Sequence, residues 1–317
     1  SNGMSVSVLN LGGIISAINV ADRQGLVENI VLGYDNLEQY WMDDYKMGAI
    51  VGPYANRISN ARFRIAEQTY LLEKNYKNKH HIHSGVAGFD KKVWQVKTNI
   101  HGDYADIILS HIKPCGEAGF PGELSVTVTY RLDNENKLSI FYDAETTQAT
   151  PLNLTHHSYF NLNTNTSSDI LDHSIMIDAD RYVLIDDEQM PTGELGAVMG
   201  SVFDFTKVKL VGVDIDKPDP QLSNGGGYDH CWVFNETDLA RVKATVYASE
   251  NGRKISVYTD RPAVQFYTGN SLSQKNAGLC LETQGYVDAV NQANFPNDIL
   301  EPNKPFRSTT IYVFSCE

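Results

Sequence analysis

Short stretches in which apolar and polar residues alternate recur along most of the chain. They are rich in β-branched and aromatic residues, and turn-forming runs such as DNEN, ENG and TGN separate them. The clearest are RFRIAEQTYLLE (62–73), DYADIILSHI (103–112), GELSVTVTYRL (122–132), NKLSIFYDAET (136–146), ARVKATVYAS (240–249), RKISVYTD (253–260) and AVQFYTG (263–269). This pattern predicts an all-β fold, a sandwich or barrel of many short strands.

Two segments, 131–145 and 247–260, are predicted to be β-hairpins because turn-forming residues interrupt each strand-like run. Helical periodicity is nearly absent, and DNLEQYWMD (35–43) is the best short helix candidate. No repeat of fixed period and no Pro/Ser-rich linker divides the chain. We therefore expect residues 1–317 to form a single β-sandwich domain.

Composition narrows the class of partner. Of the 317 residues 42% are hydrophobic, which is enough for a sizeable core. Acidic residues outnumber basic ones by 39 to 26, giving a net charge of −13. This balance argues against nucleic acid or an anionic membrane as partner and fits a small neutral ligand. No apolar run approaches the ~20 residues of a membrane helix.

The cysteines and the N-terminus bear on location. No cysteine pair has CxxC or zinc-type spacing, and the neighbours of two cysteines are apolar, so we expect reduced thiols and a cytoplasmic protein. No signal peptide is expected, and Ser1 to Gly3, which precede Met4, are expected to be a cloning remnant. The four cysteines are Cys115, Cys231, Cys280 and Cys316.

Two adjacent histidines stand in TPLNLTHHSYFNL (150–162). If the segment is a strand, its side chains alternate between two faces. One face is mainly apolar and carries His156, whereas the other is polar and carries His157. We therefore expect His156 to pack and His157 to be available for chemistry, although both could be structural. A bulge between them would reverse this parity.

A carboxylate stands in a second strand-like run, LCLETQ (279–284). Alternation places Glu282 on the face opposite Leu279 and Leu281. A carboxylate with such apolar neighbours is either paired, exposed, or a base with a raised pKa. The residues alone leave a structural ion pair open.

Polar groups that suit sugar hydroxyls occur in two loops. Asn56 and Arg57 lie in a glycine- and proline-containing segment (48–65), and Asp229 follows a glycine run (225–227). Arginine offers several fixed donors, and a carboxylate can accept from two neighbouring hydroxyls. The alternatives are a surface ion pair for Arg57 and a turn residue for Asp229.

The run HHIHSG (80–85) prompts a metal hypothesis, since His81 and His83 would share a strand face. No HExxH spacing or nearby carboxylate supports it, so we expect no metal. The glycine run lacks the context of a dinucleotide or phosphate-binding loop, so nucleotide binding is not expected. We expect no cofactor.

Motifs in order along the chain resemble the aldose 1-epimerases, the galactose mutarotases, from about Gly48 to Phe295. The resemblance implies one large antiparallel β-sandwich, the galactose mutarotase-like supersandwich, with few short helices. The motifs are NRI (56–58), HIHSG (81–85), GFD (88–90), GFPG (119–122), TPLNLTHHSYFNL (150–162), GYDH (227–230), AVQFYTGN (263–270) and LETQ…DAVNQANFP (281–296).

The resemblance also implies roles for individual residues. Glu282 matches the family's catalytic base, His157 its general acid, and His83 a histidine near the anomeric centre. Anomer interconversion needs one group to take the anomeric proton and another to protonate the ring oxygen, which a carboxylate and an imidazolium can do. Tyr159 is expected to shape the pocket. Sugar-binding positions are matched by Asn56, Arg57, His83, Asp229 and Gln265.

Three positions depart from the family pattern. Ser84 and Val287 replace a usual glycine and proline, and His156 stands where asparagine is common. None removes a catalytic group. These departures bear on substrate preference more than on activity.

Three other activities remain open. The fold could be a non-catalytic sugar-binding module, or an epimerase for hexose 6-phosphates if Lys74, Lys77 and Lys79 form a local basic cluster. A glycoside hydrolase would usually need two carboxylates flanking the bond. The expected partner is a small sugar, with no nucleic acid or membrane, and the protein is expected to be a monomer or homodimer.

Overall fold

The computed structural model describes residues 3–164 and 168–317, so Ser1 and Asn2 of the expected cloning remnant lie outside it. Within these ranges strands are the main regular structure, with 43% of residues, and the α-helices are few and short, which confirms the all-β prediction. The described α-helices are α1 (Leu37–Trp41) and α2 (Pro220–Gly225). The 3₁₀ helices are Ser59–Ala61, Gly85–Ala87, Phe89–Lys91, Glu117–Gly119, Val211–Val213 and Ala289–Asn291.

The strands are numbered in chain order. The first twelve are β1 (Ser5–Val8), β2 (Ile15–Ala21), β3 (Val27–Asn29), β4 (Ile50–Val51), β5 (Arg57–Ile58), β6 (Arg62–Ile65), β7 (Gln68–Leu71), β8 (His81–Ile82), β9 (Gln95–Ile100), β10 (Tyr104–Lys113), β11 (Leu124–Asp133) and β12 (Lys137–Thr146). The others are β13 (Thr150–Pro151), β14 (Thr155–His156), β15 (Ser174–Ile177), β16 (Arg181–Ile185), β17 (Pro191–Ala197), β18 (Lys209–Leu210), β19 (Asp229–Val233), β20 (Ala244–Tyr247), β21 (Arg253–Thr259), β22 (Ala263–Tyr267), β23 (Cys280–Gln284), β24 (Ile299–Leu300) and β25 (Phe306–Cys316).

A nine-stranded antiparallel sheet forms one layer, in the order β18-β15-β20-β21-β25-β12-β11-β10-β9. Its long strands show the alternation that the sequence displays, because one side faces the core and the other faces solvent. Both predicted hairpins are confirmed, as β11 pairs with β12 and β20 with β21. The predicted helix is α1, and the Asn36 side chain caps it by accepting from the Gln39 N–H.

A five-stranded antiparallel sheet, in the order β17-β16-β19-β22-β23, lies against the first. The two sheets share one apolar cluster, which includes Trp232, Phe266 and Leu281 from this sheet and Ile140 and Tyr312 from the other. We call this side of the five-stranded sheet its core face. Strand alternation sends the remaining side chains to the opposite side, the pocket face.

Short ladders hold the loops above the pocket face. Pairing of β5 with β8 and of β14 with β4 anchors the segments around Arg57, His83 and His157. The segment 150–162 is not one continuous strand, because its parts pair in turn with β24, β4 and the neighbourhoods of Val31 and Leu279. Among the described residues, no helix has the length and apolarity needed to cross a membrane.

Candidate active site

A cavity of about 550 Å³ opens above the pocket face of the five-stranded sheet. Seven of the eight site residues predicted from the sequence line it: Asn56, Arg57, His83, His157, Tyr159, Asp229 and Glu282. The eighth, Gln265, lies beneath the cavity and contacts Asp229. Residues far apart in the sequence are therefore brought to one place by the sheet and its loops.

Glu282 lies in the middle of β23, on the pocket face. It is only 2% exposed, and its Oε2 atom has no hydrogen-bond partner in the described protein. Burial, followed by the charge of Asp229, raises the pKa of the Glu282 carboxyl to about 8. A buried carboxyl that opens onto a cavity and has one oxygen without a partner suits a group that takes up protons.

His157 follows β14 and faces Glu282. Its backbone is held by β4 and the residues before it, since the His157 N–H donates to the Ala49 carbonyl (2.9 Å) and the Gly48 N–H donates to the His157 carbonyl (3.0 Å). The Nε2 atom lies 3.7 Å from Glu282 Oε1. Burial lowers the pKa of His157 to about 4, so its imidazolium is a strong acid.

Glu282 and His157 together hold one proton over the range between these two pKa values. The proton resides either on the carboxyl, leaving a neutral pair, or on the imidazole, leaving an ion pair. Two groups this close titrate as a unit, so the two pKa values describe the pair and not each residue separately. In both arrangements the pair offers one acid and one base.

His156 points away from the cavity, as strand parity predicts. Its ring meets Tyr130 edge-on at 5.7 Å, and its Nδ1 atom is 3.2 Å from Ser158 Oγ. Burial, followed by the neighbouring His157, lowers the pKa of His156 to about 3. His156 is thus a buried, uncharged residue outside the pocket, and the two neighbouring histidines do not share a site.

His83 lies in the loop after β8, beside His157. Its backbone is left-handed (φ 49°), which turns it away from His81, and the two rings of His83 and His157 meet edge-on at 5.4 Å. The Asn56 N–H donates to His83 Nδ1 (3.1 Å), so a neutral His83 carries its proton on Nε2. Burial, followed by His157, lowers the pKa of His83 well below its usual range.

Ser84 joins the two loops that carry Asn56 and His83. Its hydroxyl accepts from the Tyr54 N–H (2.8 Å) and donates to the Tyr54 carbonyl (3.1 Å). The His83 N–H also donates to the Asn56 carbonyl (3.1 Å). Ser84, one of the departures from the family pattern, therefore fixes the position of the neighbouring histidine.

Arg57 and Asp229 form a buried clamp on the other side of the cavity. Arg57 Nη2 lies 2.7 Å from Asp229 Oδ2, and the Gln265 amide donates to Asp229 Oδ1 (2.6 Å). Burial disfavours the charged form of both groups, but the attraction between them outweighs it. The pKa of Arg57 is therefore raised and that of Asp229 lowered, so both stay charged. Asn56 Oδ1 accepts from the Arg57 backbone N–H (3.0 Å) and contacts its Nη1 (3.3 Å).

The glycine run before Asp229 makes the turn from α2 into β19. Gly226 is left-handed (φ 67°) and caps the helix, and Gly227 has φ 134°, which other residues rarely adopt. A side chain on Gly227 would also meet Asn270, since an added Cβ would lie 2.6 Å from its Oδ1. The run therefore sets the direction in which Asp229 enters the pocket.

Tyr159 lines the cavity beside His157. Its ring lies 5.0 Å from the His157 ring, and its hydroxyl donates to the Tyr45 carbonyl (3.1 Å). Tyr267, which sequence reasoning missed, faces it at 6.0 Å. Alternation could have identified Tyr267, because it lies two residues after Gln265 on the same face of β22.

Tyr76, which also lines the cavity, had no signal in the sequence. The Arg57 guanidinium lies 5.1 Å from the centre of the Tyr76 ring, and the Tyr76 hydroxyl donates to the Gln189 side chain.

Lys74, Lys77 and Lys79 do not form a basic cluster in the cavity. Lys79 pairs with Glu188, and Lys77 Nζ donates to the Asp187 carbonyl (3.1 Å).

The histidine run does not form a metal site of its own. His81 Nδ1 is hydrogen-bonded to the Glu73 carbonyl at 2.8 Å, away from His83. One ligand atom each from His83, His157 and Glu282 lies within 4.8 Å of the others. Zinc bonds of about 2.0–2.2 Å require ligand atoms roughly 3–4 Å apart, so these three would have to move together to hold an ion. The absence of a metal stays a prediction.

Comparisons with known proteins agree with this fold. The family model for aldose 1-epimerase matches residues 1–313. The human galactose mutarotase is 40% identical to this chain in an alignment that covers 99% of this chain and 92% of the human protein. The aldose 1-epimerase of Escherichia coli K12 is 32% identical, and the alignment covers 99% of this chain and 93% of that protein. The crystal structure of galactose 1-epimerase from Lactobacillus acidophilus superimposes with a TM-score of 0.89 at 27% identity, covering 100% of this chain and 92% of that one.

The strand-built fold and these relatives define a carbohydrate isomerase of the mutarotase class. The chain belongs to the aldose 1-epimerase family.

Proposed function

We propose that the protein interconverts the α and β anomers of free aldohexoses such as galactose and glucose, with Glu282 as base and His157 as acid. The observation that carries this proposal is the 3.7 Å approach of these two groups in one polar cavity. Galactose in the name of the human relative supports the choice of sugar. Burial supports the roles, because it makes the carboxylate a stronger base and the imidazolium a stronger acid.

Ring opening moves two protons within the site. The Glu282 carboxylate takes the proton of the anomeric hydroxyl, the C1–O5 bond breaks as the carbonyl forms, and the His157 imidazolium protonates the ring oxygen. The pair then holds a protonated carboxyl and a neutral imidazole. This is the neutral arrangement that burial favours, so the protein stabilises the pair in the state that accompanies the open-chain aldehyde.

Ring closure reverses these transfers on the other face of the carbonyl. After rotation about the C1–C2 bond, the neutral His157 takes the proton of the attacking hydroxyl, and Glu282 returns its proton to the carbonyl oxygen. The opposite anomer forms and the original ion pair is restored. No net proton leaves the site, and the chemistry asks for no external redox partner.

The remaining groups are proposed to hold the sugar while both transfers occur. Arg57, Asn56 and Asp229 would bind ring hydroxyls, with Gln265 fixing the orientation of the Asp229 carboxylate. His83, whose neutral form carries its proton on Nε2, would donate a hydrogen bond near the anomeric centre. Tyr159 would pack beside the ring.

Polarimetry of freshly dissolved α-galactose and α-glucose tests the activity directly. We expect the protein to accelerate the approach to the equilibrium rotation and to leave methyl α-galactoside unchanged, because its anomeric oxygen carries no proton. Sugar binding by calorimetry without acceleration would contradict the proposal and indicate a binding module. Faster conversion of glucose 6-phosphate than of glucose, or release of methanol, would instead support one of the other activities.

We also propose that the chain acts as a single domain in the cytoplasm, as a monomer or homodimer, with no nucleic acid or membrane partner. The apolar cluster shared by both sheets runs from Ile15 to Phe314, which supports one domain. The four unpaired cysteines and the charge of −13 support the location and the partner class. Sedimentation velocity would determine the oligomeric state.

A further inference from the structure

The turn that leads into Asp229 closes around the side chain of Asn270. This asparagine follows β22 and ends the motif AVQFYTGN. Its amide nitrogen donates to the Gly225 carbonyl (3.1 Å) and to the Tyr228 carbonyl (3.0 Å). Its Oδ1 accepts from the Thr268 hydroxyl (2.6 Å). One side chain therefore joins both ends of the glycine-containing turn to the end of β22.

The hydrogens of this network can all be assigned. The Tyr228 carbonyl also accepts from the Thr268 backbone N–H (3.1 Å), and with the Asn270 amide this uses both of its lone pairs. The Thr268 hydroxyl therefore gives its single hydrogen to Asn270 Oδ1. If the amide were reversed, Oδ1 would point at two carbonyl oxygens, so only one orientation of Asn270 fits.

The peptide unit between Tyr228 and Asp229 is held at both of its polar atoms. Asn270 binds its carbonyl, and its N–H donates to Nδ1 of His230 (3.2 Å). Burial lowers the pKa of His230 to about 4, so the ring is neutral and Nδ1 can accept. Because a peptide unit is planar, these bonds fix the Cα of Asp229 and restrict the direction of its side chain.

We propose that Asn270 is a positioning residue for sugar binding: it holds the turn before Asp229 so that the carboxylate stays against Arg57 and open to the cavity. Asn270 lines the cavity, yet both of its amide hydrogens go to backbone carbonyls, so it acts through Asp229. This inference rests on the proposed function for its effect on sugar binding. The bonds themselves do not depend on which sugar is bound.

The first test needs no turnover. The ¹⁵N NMR signals of the Arg57 guanidinium, assigned with Arg57→Lys, report whether Asp229 still restrains that group. We expect Asn270→Ala to shift or broaden them and Asn235→Ala, the matched control, to leave them unchanged. Asn235 lies beyond the other end of β19, and its side chain likewise bonds to a neighbouring segment, the loop between β15 and β16. Unchanged Arg57 signals in Asn270→Ala would overturn the proposal, whether or not the protein is an epimerase.

The second test is kinetic. In Asn270→Ala we expect KM to rise about tenfold with kcat within about twofold, since the lost hydrogen bonds loosen the clamp and leave Glu282 and His157 in place. Asn235→Ala should keep both constants. In the Asp229→Asn background the alanine substitution should raise KM by no more than about twofold, because its effect passes through that carboxylate. An equal rise of KM in both backgrounds would give Asn270 a role independent of Asp229 and contradict the proposal.

Thr268→Val is a milder second variant. It keeps the backbone bond to Tyr228 and removes only the hydroxyl that Asn270 accepts from. We expect KM to rise about threefold with kcat unchanged, and a smaller change in the Arg57 signals. If Asn270→Ala does not fold, Thr268→Val decides, and a wild-type KM with wild-type Arg57 signals would overturn the proposal. Absence of mutarotation in the wild-type protein would contradict the proposed function, and the NMR test would still decide the role of Asn270.

Discussion

The two sheets of this protein distribute polar residues in opposite ways. In β11 of the nine-stranded sheet, buried apolar residues alternate with partly or fully exposed ones from Leu124 to Arg131. In β22 and β23 of the five-stranded sheet every residue is buried, yet Gln265, Glu282 and Gln284 are polar. Burial of polar groups without full hydrogen bonding costs stability. The first sheet therefore mainly stabilises the fold, whereas the second gives up stability to build the site.

The same contrast holds for paired charges. Asp106 and Arg131 pair on the outer side of the nine-stranded sheet, with Arg131 partly in contact with water. Asp229 and Arg57 pair inside the cavity, where both are largely removed from water. A charge left unpaired inside the cavity costs far more stability than one left unpaired at the partly exposed pair of the nine-stranded sheet. Equivalent substitutions in the two sheets should therefore have very different effects.

The largest expected effect comes from Glu282→Gln. The amide cannot take the anomeric proton, so we expect kcat to fall by at least ~10³-fold, with sugar binding largely retained. The matched control is Glu145→Gln, the same substitution at an exposed position of β12 in the other sheet. Polarimetry measures both variants, and calorimetry measures binding. Near wild-type mutarotation by Glu282→Gln would remove Glu282 from the proposed mechanism.

Asp229→Asn should have the next largest effect, now on binding. It leaves the Arg57 guanidinium buried without its counter-charge and weakens acceptance of sugar hydroxyls, a loss of roughly 1–3 kcal/mol. We expect KM to rise about 10- to 100-fold with a smaller change in kcat. Asp106→Asn breaks the corresponding pair of the nine-stranded sheet and should leave KM unchanged. A KM within twofold of wild type for Asp229→Asn would show that the clamp does not hold the sugar.

The pH dependence of stability gives a third, smaller effect. The folded protein raises the pKa of Glu282 from an ordinary 4.5 to about 8, so the wild type loses stability as pH rises between these values. Glu282→Gln does not titrate there, and His157 is common to both proteins. The variant should melt only slightly differently at pH 4.5 and about 5 °C higher at pH 8. Scanning calorimetry at both pH values tests this, and an equal difference at both would contradict a raised pKa.

Alternation predicted most of the nine-stranded sheet because one side of each strand meets water. It also separated His156 from His157, although the segment around them is not one strand. It failed to predict how that segment pairs, since residues buried on both sides carry no alternating signal. The resemblance supplied the identity of Glu282 and Asp229 as site residues, and the structure brings both to the cavity.

Contacts between sequence-distant residues were not predictable from local pattern. Nothing near Gln265 indicates that it lies beneath the cavity and orients Asp229, because that contact depends on the pairing of β19 with β22. The approach of Cys280 Sγ to His157 Nδ1 (3.5 Å) likewise depends on where β14 lies above β23. Ser84 was recognised only as a departure from the family pattern, and its bonds to Tyr54 arise from two loops that cross in space.

Ser84 offers the smallest and most local test of the comparison between the sheets. Ser84→Ala removes the hydroxyl that joins the two loops and leaves the buried Tyr54 N–H without its acceptor, so His83 should lose some of its alignment. Ser84→Gly loses the same bonds but relaxes a left-handed backbone (φ 63°), and should retain more stability. We expect kcat to fall about threefold in both variants, with Ser84→Gly melting at the higher temperature. Ser139→Ala, at a buried position of β12, should leave kcat unchanged, because Ser139 lies within the nine-stranded sheet, opposite Arg131 and Ile311 of the neighbouring strands. An equal loss of kcat in Ser139→Ala would mean that activity follows general stability, and the division of labour between the two sheets would not hold.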